Sequence, residues 1–155
     1  MKFRIFLIIT LSVLCSVPAW AANWTVCAGG CDFDRISSAV SAAAAGDTLE
    51  LAAETFTEYN INLDKDLTIV GAGAEATVVQ AASHPSTSSP GRVFIVDSAA
   101  TVLMQDLTLQ NGYTQSNDST GGNVRNEGDL TMERVRLLNG MVLLKESPIR
   151  IPQPM

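Results

Sequence analysis

From Asp47 to Gly140 the chain is written in short bursts of alternation. Apolar residues occupy every second position for three to five residues, and Gly, Asn, Asp or Ser then interrupts. Such a period of two is the signature of strands with one buried face. The bursts at 48–51, 60–63, 67–70, 77–79, 92–96, 101–104, 107–109, 130–132 and 135–137 predict strands, and helical spacing is absent among them. One stretch before them differs. Phe33, Ile36, Val40 and Ala43 fall at i, i+3, i+7 and i+10, which predicts a short amphipathic helix over 33–45. Asp32 is the expected cap, Asp34 suits the positive end of the helix dipole, and Gly46 is the expected stop.

The strands repeat. Residues 101–112 align with 129–140 at an offset of 28, with Val102/Leu130, Met104/Met132, Leu107/Val135 and Leu109/Leu137 coinciding. Both copies end in Asn-Gly, so Asn111, Gly112, Asn139 and Gly140 are expected turn residues. Asn tolerates left-handed backbone angles, and its side chain can bond to the Asn stacked on it, while Gly frees the turn. A weaker copy at 67–71 sets Leu67 and Ile69 against Leu107 and Leu109. Strands this short hold no sheet alone, but stacked coil on coil they build long parallel sheets around a narrow core. The expected fold is an all-β right-handed single-stranded parallel β-helix. Its open strand edge needs cover, and the helix at 33–45 stands where an N-terminal cap belongs. The expected organisation is a signal peptide at 1–21, a cysteine loop and capping helix at 22–46, coils at 47–140, and a non-repetitive tail at 141–155.

The leader carries Lys2 and Arg4, then apolar runs at 5–9 and 11–17, then Pro18 and Ala19-Trp20-Ala21. Small residues at 19 and 21 predict signal cleavage between Ala21 and Ala22, with a retained N-terminal anchor as the alternative. Leu14 is too bulky to precede a lipidated Cys15. Cleavage leaves eight basic against 16 acidic side chains, a net charge of −8. That balance argues against nucleic acid and anionic membrane surfaces, and no second apolar stretch is long enough for a transmembrane segment. Localisation is expected to be secreted, extracellular or at the outer cell surface, after periplasmic transit. Cys27 and Cys31 flank Ala28-Gly29-Gly30, and in an oxidising compartment they read as a disulfide loop, with free thiols or a metal as alternatives. A metal would need further ligands, and His84, the single histidine, lies far along the chain.

Phe33-x-x-Ile36-x-x-Ala39-Val40-x-x-Ala43, Gly46-Asp47-Thr48-Leu49-x-Leu51, Phe56-x-Glu58 and Leu67-Thr68-Ile69-x-Gly71 together resemble the cap and first coils of pectin-lyase-like right-handed parallel β-helix proteins. Gly121-Gly122-x-Val124-x-Asn126-x-Gly128-x-Leu130-Thr131 is similar to the repeat of bacterial surface β-helix proteins, including polymorphic outer membrane and adhesin-like families. The resemblance implies the fold, but this architecture carries lyases, esterases, hydrolases, adhesins and plain scaffolds. The coil pattern stops at Asn139-Gly140, and 141–155 carries three prolines without a coil signature. A truncated or frameshifted copy of a longer gene is the expectation, and a short protein with a Pro-rich end cap is the alternative.

The resemblance implies that a lyase of this fold needs an Arg or Lys base beside calcium-binding acids. Arg92, Arg125, Arg134 and Arg136 are the candidate cations, and Asp97, Asp106, Asp118, Glu127, Asp129 and Glu133 the candidate carboxylates. The repeat sets Asp106 beside Arg134, which reads as a charge ladder on a solvated face. Esterase chemistry would need an Asp pair and glutamines on later coils. Asn23-Trp24-Thr25 and Asn117-Asp118-Ser119 match the glycosylation sequon, and Tyr113 or Trp24 could stack on a sugar. No catalytic, cofactor or metal residue is assigned. The leading reading is a non-enzymatic scaffold or adhesin-like module facing an extracellular polysaccharide or a host or cell-surface component. The alternatives are the N-terminal fragment of a pectate-lyase-like enzyme and a remnant without independent function.

Overall fold

The structure, a computed structural model, describes residues 20–84, 91–113, 122–140 and 142–144. Residues 1–19, which hold most of the expected signal sequence, 85–90, 114–121 with Asn117-Asp118-Ser119 and Gly121, 141 and 145–155 lie outside the described residues.

Three parallel sheets run the length of the molecule. The first is ordered β1-β2-β5-β8-β11, from Asn23–Val26, Thr48–Leu51, Leu67–Gly71, Thr101–Gln105 and Asp129–Glu133. The second is ordered β3-β6-β9-β12, from Thr55–Thr57, Val78–Gln80, Thr108–Gln110 and Arg136–Leu138. The third is ordered β4-β7-β10-β13, from Ile61–Leu63, Phe94–Val96, Val124–Asn126 and Val142–Leu144. The chain visits the sheets in turn, so each set of three strands is one coil of a right-handed parallel β-helix.

The register explains the repeat. Val102 lies beside Leu130 and Met104 beside Met132, with Leu109 beside Leu137 in the second sheet. Leu67 and Ile69, however, pair with Val102 and Met104, not with Leu107 and Leu109. The Leu-x-Leu pattern occurs at both strands of a coil, and sequence alone does not say which sheet a strand joins. Inward residues stack on like residues: Leu49, Ile69 and Met104 in one file, Phe56, Val79 and Leu109 in another. All six are buried. Burial of a file like this removes about 25 cal/mol per Å² of apolar surface from the balance against folding.

Several boundaries move by one residue. The strands expected at 77–79, 107–109 and 135–137 begin at Val78, Thr108 and Arg136. Leu107 sits at the corner before its strand with its side chain fully buried, so corner residues as well as strand residues fill the core. The strands at Asn23–Val26, Thr55–Thr57 and Val124–Asn126 were not expected as strands; the last two hold a single apolar residue each, and the first alternates through Trp24 and Val26 but stands apart from the repeating stretch.

The helix α1 is Ile36–Ala42, shorter than 33–45, and buries Ile36, Ala39 and Val40 over the first coil. Its cap differs from the expected one. Arg35 holds the N-cap position and makes no side-chain cap bond. Glu58 of the first coil caps the helix instead, accepting from Ile36 N at 2.6 Å, Ser37 N at 3.1 Å and Ser37 Oγ at 2.6 Å. Asp32 is turned away toward Thr25. Ala43, not Gly46, ends the helix, and Gly46 takes φ 93° in the turn that leads into β2.

Candidate functional site

The N-terminal end is tied by several contacts. Cys27 and Cys31 form a disulfide with Cα atoms 5.5 Å apart, which turns the chain so that Phe33 bridges back to Val26. Phe33 meets the edge of Trp24 with ring centres 5.5 Å apart. Trp24 is thus a packing residue whose indole N–H donates to Asp47 at 2.9 Å. Asp32 accepts from the N–H and hydroxyl of Thr25, which holds its carboxyl below the usual carboxylate range.

The corners carry the left-handed residues. Asn60, Asn111 and Asn139, and also Asp106 and Arg134, have φ between 50° and 58°. Asn139 donates its amide to Asn111 Oδ1 at 3.1 Å. Gly112 and Gly140 have a different task from freeing the turn. A Cβ on Gly112 would strike the Gly122 carbonyl, and one on Gly140 would strike the Asn123 side chain. Asn123 is the clamp between these coils. It is fully buried, accepts from Gly112 N at 2.8 Å, and donates to the carbonyls of Leu109 at 3.2 Å and Leu138 at 3.0 Å. Nothing apolar or periodic marks it in the sequence.

The candidate ionisable residues are not brought to one place. Arg134 pairs with Asp106 through Nε–Oδ1 at 2.6 Å and Nη2–Oδ2 at 2.8 Å, at the corner between the first and second sheets. That pairing lowers the Asp106 pKa and raises that of Arg134. Glu133 lies 3.6 Å from Arg134 and accepts from Gln105 Nε2 at 2.6 Å. Arg136 reaches Glu75 at 3.0 Å outside the second sheet. Arg125 pairs with Glu127 beside the third sheet. Asp97 accepts from Asn62 at 3.2 Å, the Arg92 backbone N–H donates to Asn60, Asp129 is exposed, and Asp118 lies outside the described residues. Arg125, Arg134 and Arg136 are each paired with a carboxylate on the surface of a different part of the coil.

Outside the second sheet, Gln80 donates to Thr57 Oγ1 at 3.0 Å and accepts from Gln110 at 2.9 Å. This is a polar ladder across three coils that the alternation pattern does not reveal, because Gln occupies outward positions like any other polar residue. Two open grooves flank α1. One of about 310 Å³ is lined by residues including Asp34, Arg35, Glu54 and Glu58. The other, of about 460 Å³, is lined by Ser37, Ser41, Asn60, Asn62, Asp64 and Lys65 among others. Tyr113 is half-buried at its corner. Among the described residues, no group of three or more His, Cys, Asp or Glu side chains is gathered that could hold a metal ion. No helix among them is long and apolar enough to cross a membrane.

The class of protein defined by these coils is the parallel β-helix. Neither a known family nor a curated protein matches the sequence. Among solved structures, a pectin methylesterase mutant in complex with a hexasaccharide is similar, with a TM-score of 0.47 and 15% sequence identity over 78% of this chain. The chain spans 43% of that enzyme's length.

Proposed function

We propose that this chain is a secreted or cell-surface β-helix module of pectin-lyase-like type that acts as a non-enzymatic, adhesin-like scaffold. Its partner would be an extracellular polysaccharide or a component of a cell surface. The observation that supports this reading is how the outward polar groups are used: they bond to one another along the coils. Thr57, Gln80 and Gln110 form one such ladder, Gln105 and Glu133 a second, Asp106 and Arg134 a third. Groups bonded to one another in this way serve contact along the coils rather than proton transfer, which needs a side chain placed within reach of a substrate proton.

The test is to incubate the purified protein with polygalacturonate and with methyl-esterified pectin, each with and without calcium. Unsaturated uronate absorbance and released methanol are followed, and binding is read in parallel on an array of extracellular glycans. The scaffold reading expects binding without product. Turnover of either polymer that scales with protein concentration would overthrow it in favour of an enzyme fragment.

A further inference from the structure

Asp47 is the carboxylate on which the first coil closes. It is buried, and its three partners are neutral donors. One oxygen accepts from Ala22 N at 2.8 Å; the other accepts from Trp24 Nε1 at 2.9 Å and Ala44 N at 2.9 Å. The Ala22 carbonyl in turn accepts from Thr48 N at 2.8 Å, so Ala22 is held from both sides. Two residues upstream, Trp20 is 87% exposed. Ala21 is exposed as well, and among the described residues all strands and buried core residues lie after the Ala21–Ala22 bond. That same bond is the one that the small residues Ala19 and Ala21 mark for scission.

We propose that removal of the leader at Ala21–Ala22 converts the Ala22 N–H into an ammonium seated on Asp47, so that processing itself completes the N-terminal closure of the β-helix. The proposal rests on the export reading. In the cleavage, water adds across the peptide bond. The Ala21 carbonyl carbon takes the hydroxyl and leaves as a carboxylate, and the Ala22 nitrogen takes the two protons and becomes –NH3+. The N–H···O⁻ bond is already charge-assisted through the carboxylate; with an ammonium donor it becomes a full ion pair at the same place, which adds Coulombic attraction between opposite charges. The chain with its leader forms the amide version, and the processed chain forms the ammonium one.

The charged groups around the pair are engaged in neighbouring turns. Glu50 is held by Asn23, Asp66 accepts from Thr101 N, and Lys65 donates to the carbonyls of Val40 and Ala43 and lies 3.5 Å from Asp64. The Asp47 carboxyl already lies below its ordinary pKa, through the Ala22 N–H first and then Trp24 and Ala44. Its contribution to stability is therefore present above the unfolded carboxylate pKa and lost as pH falls through the folded one. The amine behaves in the opposite sense. Pairing raises its pKa above the usual value of about 7.7–8.0, so its contribution is full below that and is lost as pH rises through the folded value.

Two measurements test the proposal. In the first, the full chain is exported from a bacterial host and the N-terminus of the product is read by mass spectrometry. A start at Ala22 is expected, and a different start overturns the cleavage site and the proposal with it. In the second, the chain starting at Ala22 is compared with one that keeps Ala21, in which the Ala22 nitrogen stays an amide. The Ala22 chain should melt about 3 °C higher at pH 6, with the gap closing above pH 8 and absent when both carry Asp47→Asn. If Asp47→Asn fails to fold, titration of the Ala22 amine in the folded protein and in urea decides instead. Equal melting temperatures, or an amine pKa no higher folded than unfolded, refute the ion pair while leaving the export reading intact.

Discussion

At its N-terminal end the solenoid is closed by α1 over the first coil, by the Cys27–Cys31 loop, and by the buried acceptors Asp47 and Glu58. At the last coil whose side chains are described, equivalent residues are far more exposed. Leu109 is fully buried, whereas Leu137, one coil on and in register with it, is 38% exposed. Met104 is fully buried and its neighbour Met132 only partly. The side chains and strand positions match, so residue type does not set the difference. A side chain in a β-helix is buried by the coil before it and the coil after it, and the outer coil has only the first among the described residues. Among the described residues, burial of equivalent positions therefore falls from the inner coil to the outer one.

The largest expected effect is at the inner coil. Leu109→Ala should destabilise by about 3 kcal/mol, through lost transfer energy and an unrelaxed cavity, read as a shift in the urea midpoint. If Leu137→Ala destabilises equally, the outer coil is as buried as the inner one and the contrast fails. Next comes Asn123→Ala, which leaves the buried Gly112 N–H without its acceptor and removes the side-chain bonds to the Leu109 and Leu138 carbonyls, at a cost of about 2–3 kcal/mol. Replacing Cys27 and Cys31 with Ser frees a short loop and should lower stability by about 2 kcal/mol. Hydrogen exchange would show whether that loss is felt at β1 and α1, as expected, or spreads evenly. Leu137→Ala itself should change stability by less than about 1 kcal/mol. The smallest effect belongs to the exposed Arg134–Asp106 pair, where a double-mutant cycle should give a coupling that disappears in high salt.

The functional residues were unevenly visible in the sequence. Cys27 and Cys31 were legible as a disulfide because their spacing and compartment argue for it, and the geometry now shows the bond. The pairing of Asp106 with Arg134 followed from the 28-residue offset. Asn123, Gln80 and Glu58 were not legible in their present roles, since each bonds to residues fixed by the winding of the coil rather than by local spacing. Glu58 shows this best: it caps a helix 21 and 22 residues earlier in the chain, where local reasoning pointed to Asp32.

The sequence alone determined that this chain forms short parallel strands with one buried face, that it repeats, and that a helix precedes the coils. Those properties are local, because they rest on alternation, turn residues and the period of the apolar stripe. Only the tertiary structure decided which strand lies on which sheet, and that Leu67 and Ile69 stack on Val102 and Met104. It alone decided that Arg136 reaches Glu75, that Arg125 pairs with Glu127, and that Gln80 bonds to Thr57 and Gln110. Coils here differ in length, with Thr48 beside Thr68 but Leu67 beside Val102. The 28-residue spacing read from the sequence is the register of the strands at 101–105 and 129–133, whereas the pairing of the earlier coils is set by how their loops are accommodated.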